Sequence, residues 1–247
     1  MNLKAVDINC DTGEGIGNEP QLLPLISRCN IACGGHTGDE KTITEVLKLC
    51  KKYGVKAGAH PSYPDKLNFG RKVISMSPEI LERSITDQLL LFKKCTDEEK
   101  VEVTHIKPHG ALYNEAVKNR VIAAVIVKTA LQVFPGAAIL APYRSELAIQ
   151  ASQKGVQVLF EVFGDRNYND DLSLVSRALP DALIHEPEKV FSHMLHILKN
   201  SEVRTLKNKS VPVKAQSFCI HGDTENAQKI LTFIKNRLPD HGWTVSL

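Results

Sequence analysis

The chain has 247 residues, 43% hydrophobic, 24% charged and 6% aromatic, close to average globular usage, which excludes disordered and low-complexity classes. A count of 31 Lys and Arg against 28 Asp and Glu leaves a net charge of +3 with no basic tract, so nucleic acid is not expected as a partner. The apolar stretches, such as residues 121–127, are far shorter than the roughly 20 residues that span a bilayer, and Asp7 sits where the apolar region of a signal peptide would lie; a cytoplasmic chain without membrane contact is expected.

In chain order, a strand is expected at residues 4–10 and a second at 28–33. A helix follows with Ile43, Val46, Leu47, Cys50 and Tyr53 on one face and Gly54 just past its end. After a strand at 55–59, Ser77 and Pro78 open a helix that turns Leu81, Ile85, Leu89 and Phe92 inward and closes on Lys93 and Lys94. Strands at 101–107, 137–141, 156–162 and 215–220 alternate with helices at 120–134, 145–154, 187–199 and 224–238, and residues 243–246 form a terminal strand. The polar, basic stretch 200–214 interrupts the alternation as an excursion or hairpin. Seven core strands separated by helices predict an α/β fold with a parallel sheet, open or closed into a barrel, in a single domain over residues 1–247. The six cysteines contain no C-x-x-C pair and fall at apolar positions, so reduced, buried thiols are expected.

Polar residues that periodicity does not explain follow the strands. They are Asp11 and Glu14, His36 and Asp39, His60 and Asp65, Lys107 and His109, Tyr143 and Arg144, Asp165 and Arg166, then His221 and Asp223. In a parallel sheet or barrel these positions share one end, the carboxyl ends of the strands, where α/β enzymes build their sites. Each residue also has a structural reading. Asp11 and Glu14 can brace a Gly-rich turn, Asp39 can cap the helix it precedes, and Lys107 can pair with a barrel carboxylate such as Glu161. His36, flanked by Gly34, Gly35 and Gly38, and His60, held extended before Pro61, point more strongly to chemistry. His105 reads as a core histidine, and His185, His193, His196 and His241 as structural or exposed. The stretch GEGIG lacks the spacing and the Lys of a phosphate loop, and no G-x-S-x-G or H-E-x-x-H occurs.

The ordered motifs DINCDTGEG, NIACGGHTGD, GAHPSYPD with FGR, HIKPHGALYN, FGDRNY and FCIHGDT resemble those of the LamB/YcsF family over nearly the whole chain. The resemblance implies a distorted (β/α) barrel of about seven parallel strands, similar to glycoside hydrolase and deacetylase barrels. It implies one component of an ATP-dependent 5-oxoprolinase that opens the lactam of 5-oxoproline to L-glutamate, with ATP as cosubstrate and with partner subunits B and C. By the same resemblance a divalent metal, Mg or Zn, could be held by Asp11 (or Asp7), His36 and His60. The chain departs from the usual family motifs at Gly35, Thr37, Glu40, Gly164 and residues 68–72.

The roles expected on this reading are Asp11 as general base with Glu14 positioning it or the water, and His36 and His60 polarising the carbonyl or holding the metal. Lys107 and His109 would stabilise transferred phosphate. Asn9, Asn30, Arg71, Tyr113, Asp165, Arg166, His221 and Asp223 would contact or orient substrate. Two other readings stay open: a stand-alone metal-dependent amidohydrolase or deacetylase, and a noncatalytic ligand-binding subunit.

Overall fold

The first apolar segment divides at Asp7. In the computed structural model, which describes residues 3–224 and 226–246, Lys4–Val6 (β1) pairs in parallel with the C-terminal segment outside the barrel, while Ile8–Thr12 (β2) enters the barrel wall. Asp7 anchors the break. Its carboxylate accepts Nε and Nη2 of Arg28 at 2.8 and 2.7 Å and the Ser217 hydroxyl at 2.6 Å, which ties it to the strands on either side of β2. The single strand expected at 4–10 is thus two, and Asp7 is spent on Arg28, away from any metal-binding group.

A short helix, Glu19–Leu22 (α1), leads to Arg28–Ala32 (β3). Glu40–Tyr53 (α2) follows because Asp39 accepts the Thr42 N–H at 2.8 Å and Gly54, at φ 69°, ends the helix in the left-handed conformation. Lys56–His60 (β4) is followed by the long helix Pro78–Glu99 (α3), capped by Ser77, and by Val103–Ile106 (β5). Helix Gly110–Lys118 (α4) is absent from the sequence-based expectation, because its nine residues are too few to show a periodic face and directly follow a loop-like Lys-Pro-His-Gly. Asn119 separates it from Arg120–Val133 (α5) and caps the latter.

Ala138–Pro142 (β6), Glu146–Gln153 (α6), Val158–Phe163 (β7), Pro187–Asn200 (α7) and the antiparallel pair Glu202–Arg204 (β8) and Ser210–Pro212 (β9) complete the approach to Ser217–Cys219 (β10). The excursion at 200–214 is therefore a hairpin. Ala227–Arg237 (α8) and Trp243–Val245 (β11) finish the chain; of the helix expected from 224, Glu225 lies outside the described residues.

The strands close into an all-parallel seven-stranded barrel in the order β10, β2, β3, β4, β5, β6, β7. Its outer wall packs on the apolar faces of the helices, where Ile43, Leu47, Ile85, Leu89 and Phe92 are fully buried, so the hydrophobic contribution sits between strands and helices. The barrel interior is instead polar. Asn9, Asn30, His105, Lys107, Glu161 and Ser217 are all buried there and satisfy one another, as buried polar groups must. Gly58 makes room for this layer, since a Cβ at that position would overlap the His105 ring. All six cysteines are buried free thiols. Among the described residues no helix is long and apolar enough to cross a membrane.

Candidate active site at the carboxyl ends of the barrel strands

Loops leaving β2, β4, β5, β6, β7 and β10 enclose a cavity of about 750 Å³ at the end of the barrel where α/β enzymes place their chemistry. Asp11, Glu14, His60, Arg71, Lys107, His109, Tyr113, Arg166, His221 and Asp223 line it; His36 lies just behind Glu14. The segment after β4 folds over His36 and His109, with Phe69 edge-on to both rings at 5.2 and 5.5 Å. Gly70, at φ 62°, allows that closeness: a Cβ there would lie 2.9 Å from the His109 ring and 3.0 Å from His36 Cβ.

On one side of the cavity Glu14, His36, His60 and His109 converge, all buried. His36 and His109 stack with centroids 3.7 Å apart. Glu14 Oε1 lies 3.0 Å from His36 Nε2, 3.3 Å from His109 Nδ1 and 4.0 Å from His60 Nε2. Backbone carbonyls fix two tautomers. His60 Nδ1 is 2.7 Å from the Lys107 carbonyl and His109 Nε2 is 2.9 Å from the Phe69 carbonyl; a carbonyl only accepts, so those nitrogens carry the protons. In the neutral rings, His60 Nε2 and His109 Nδ1 are then bare lone pairs, yet they face each other at 3.0 Å beside a carboxylate oxygen.

With one proton on each ring, these three acceptors form a lining that a cation would complete. The separations bracket the edge of about 3.4 Å expected for a tetrahedral site with bonds of about 2.1 Å, and each of these two histidines has the carbonyl partner that orients a metal-binding imidazole. The donor set fits a divalent metal. Burial holds His36 down at about 4 and lowers His109, despite the Glu14 carboxylate, so both rings are neutral and ligand-competent at neutral pH. Burial opposes ionisation of Glu14, but the His109 and His36 rings packed against it keep it well below the usual carboxylate range. His36 Nδ1 is buried without a partner, which makes this ring the least supported of the three. Of the metal set expected from sequence, His36 and His60 lie in this group together with Glu14 and His109.

Asp11 sits on the other side of His60, with Oδ2 3.4 Å from His60 Nε2. Its Oδ1 accepts from Asn30 at 2.8 Å and from Lys107 Nζ at 3.0 Å. Lys107 also lies 3.0 Å from Glu161 and 3.1 Å from Cys219 Sγ, and Tyr113 donates to Glu161 at 2.6 Å. Burial opposes charge on both Lys107 and Asp11, but each holds the other ionised across their 3.0 Å pair. Asp11, Cys219 and His221 form a second group close enough to hold an ion, and beside Asp11 and Cys219 the Lys107 ammonium already supplies the cation.

Three residues expected to touch substrate do not reach the cavity. Asn9 and Asn30 are inside the barrel, their amides spent on Ser217, Lys107, Asp11, His105 and each other. Asp165 is fully buried and holds His221 through the backbone N–H at 2.9 Å and Nδ1 at 2.9 Å, with the Thr224 hydroxyl at 3.0 Å. It orients His221, which stacks on Phe163 at 5.4 Å. Arg71 and Asp223 form an ion pair at the mouth. Arg177 and Cys219 join the site without having been singled out from sequence. Arg177 sits in an irregular stretch with no periodic or motif signal, and Cys219 reads as an ordinary core thiol.

Residues 6–247 match the model of the LamB/YcsF family. The chain is 39% identical over 246 residues to the A component of 5-oxoprolinase from Chloroflexus aurantiacus, covering 97% of both chains. It is 38% identical over 242 residues to the corresponding 5-oxoprolinase component of Staphylococcus aureus, covering 96% of this chain and 97% of that one. Among solved structures it is similar to the lactam utilization protein of Thermus thermophilus, with TM-score 0.91, 31% identity and 98% of each chain covered. The seven-stranded barrel, the site at its carboxyl end and these full-length matches together place the chain in the LamB/YcsF family.

Proposed function

We propose that this chain is a cytoplasmic component of an ATP-dependent 5-oxoprolinase, working with partner subunits B and C to open 5-oxoproline to L-glutamate. The observation that carries this reading is the near-complete match to relatives named as the A component of 5-oxoprolinase. The cavity supports it, with acid, base and electrophile groups in one place.

A lactam carbonyl is a poor electrophile, and phosphorylation of its oxygen by ATP turns that oxygen into a leaving group. One water adds to the ring carbon and the C–N bond breaks with a proton delivered to nitrogen, which leaves an acyl phosphate; a second water then displaces phosphate from that carbon to give the side-chain carboxyl of glutamate. Asp11 Oδ2, free of the Asn30 and Lys107 bonds made by Oδ1, takes the proton from water. Lys107 pairs with Asp11 and Glu161 and supplies positive charge next to the developing oxyanion. Tyr113 and His221, both lining the cavity and packed on Phe163, hold the ring, and Lys107 faces the transferred phosphate. Glu14, His36, His60 and His109 would hold a divalent metal; three nitrogen donors favour Zn²⁺ over Mg²⁺. When bound, such an ion polarises a carbonyl and acidifies water.

The deciding experiment measures glutamate formation from 5-oxoproline by the purified chain, with and without ATP and co-expressed B and C subunits. Turnover confined to the mixture containing ATP and both partners is expected. The facing lone pairs of His60 and His109 favour a second reading, a stand-alone metal-dependent amidohydrolase. That reading requires ATP-independent, chelator-sensitive hydrolysis by the chain alone.

A further inference from the structure

Buried cations in this barrel have carboxylate partners, with one exception. Arg28 is paired with Asp7, Lys107 with Asp11 and Glu161, and the partly exposed Arg71 and Arg177 share Asp223. Arg166 is only 6% exposed and lines the cavity, yet among the described residues no carboxylate lies within ion-pair distance of it. The acid next to it in sequence, Asp165, is already committed to His221 and Thr224. Arg166 donates Nε to the Ala182 carbonyl at 3.2 Å and Nη2 to the Val175 carbonyl at 2.6 Å. A guanidinium has five N–H groups, so these two bonds leave three unused. A buried charge without a counter-ion is costly, and the two carbonyls anchor the side chain in place.

We propose that Arg166 is the receptor for a carboxylate on the substrate, and that it limits the site to amides and lactams bearing that anion. Arg166 presents a planar fork that suits a carboxylate better than a point charge does. Arg177, on the same irregular stretch between β7 and α7 and also lining the cavity, adds positive charge near the anion. With the anion fixed at Arg166, the reacting carbonyl is left for the Glu14, His60 and Lys107 groups of the same cavity. This inference rests on the lactam reading for the rest of the ligand: 5-oxoproline carries such a carboxylate on the ring carbon next to nitrogen, whereas 2-pyrrolidinone does not.

Binding to the full chain, measured by calorimetry, tests it with four probes: 5-oxoproline, its methyl ester, 2-pyrrolidinone, and the open-chain carboxylate N-acetylglycine. The wild-type chain is expected to bind 5-oxoproline at least tenfold more tightly than the ester or 2-pyrrolidinone. Arg166→Gln should erase that preference, a loss of about 10- to 100-fold for the acid and little for the neutral lactams; Arg166→Lys should fall between. Since Arg166 also ties down the stretch 167–184, Arg177→Gln is the second variant, expected to lower acid affinity several-fold without touching that anchor. Equal affinity for acid and ester, or no Arg166-dependent binding of either carboxylate at millimolar concentration, overturns the proposal and leaves the lactam reading standing. Arg166-dependent binding of N-acetylglycine with no binding of any lactam does the reverse: the carboxylate receptor stands and the lactam reading falls.

Discussion

Replacing Lys107 by methionine removes the one cation that holds two buried carboxylates apart. Its ammonium lies 3.0 Å from Asp11 Oδ1 and 3.0 Å from Glu161 Oε1, and all three side chains are less than a tenth exposed. Methionine has similar length and no charge, so the variant leaves two acids facing each other across an apolar stem. Breaking a buried pair in this way costs about 3–5 kcal/mol, and each kcal/mol shifts the melting temperature of a chain this size by about 2–4 °C. Lys107→Met should therefore melt about 6–20 °C below the parent by circular dichroism, with a matching fall in urea midpoint. Adding Asp11→Asn and Glu161→Gln should recover at least half of the loss, because both amides still accept from Asn30 and Tyr113 while carrying no charge. Lys107→Met melting within about 2 °C of the parent, or no recovery in the triple variant, would refute this account of the barrel interior. In the complete 5-oxoprolinase assay the single variant should lose at least about 100-fold in rate.

Adding Zn²⁺ to the metal-free chain should raise its melting temperature by mass action; His60→Ala and His109→Ala should abolish the rise, and an unchanged melt in the parent would remove the metal from the site. Gly58→Ala should cost about 1–3 kcal/mol in urea denaturation because the added methyl meets the His105 ring; an unchanged midpoint would mean that His105 is not confined by Gly58. His193, whose Nε2 is buried without a partner, is held neutral down to about 4 by burial, against the Phe163 carbonyl. The unfolded ring protonates near 6.5, so the unfolded chain binds the extra proton first as pH falls. Native stability tied to this residue is therefore complete above about pH 6.5 and declines toward pH 4, by up to about 3 kcal/mol. His193→Gln should flatten that decline, and denaturation curves at neutral and acid pH that keep the parent's slope would exclude the assignment.

The fold was legible because its strands and helices carry their own punctuation. Asp39 with Gly54, Ser77 with Pro78 and the Gly and Pro residues between elements mark boundaries by local backbone chemistry, which needs no tertiary partner. The site was legible as a set of positions, since a parallel barrel brings every strand-end residue to one rim. Helix α4 escaped because nine residues show too little periodicity, and the break at Asp7 because its cause, Arg28, is 21 positions away.

Which strand-end residues face the cavity, and which serve one another, was decided only in three dimensions. Asn9, Asn30 and Asp165 look as functional in sequence as His60 or Arg166, but their hydrogen-bonding capacity is used up by neighbours contributed from distant strands. The grouping of Glu14 and His109 beside His60 likewise depends on two carbonyls, of Lys107 and Phe69, that set ring tautomers. Local propensity and period travel with the chain and can be read along it. Proton placement and charge pairing depend on angstrom distances between segments far apart in sequence, so they exist only once the barrel has closed.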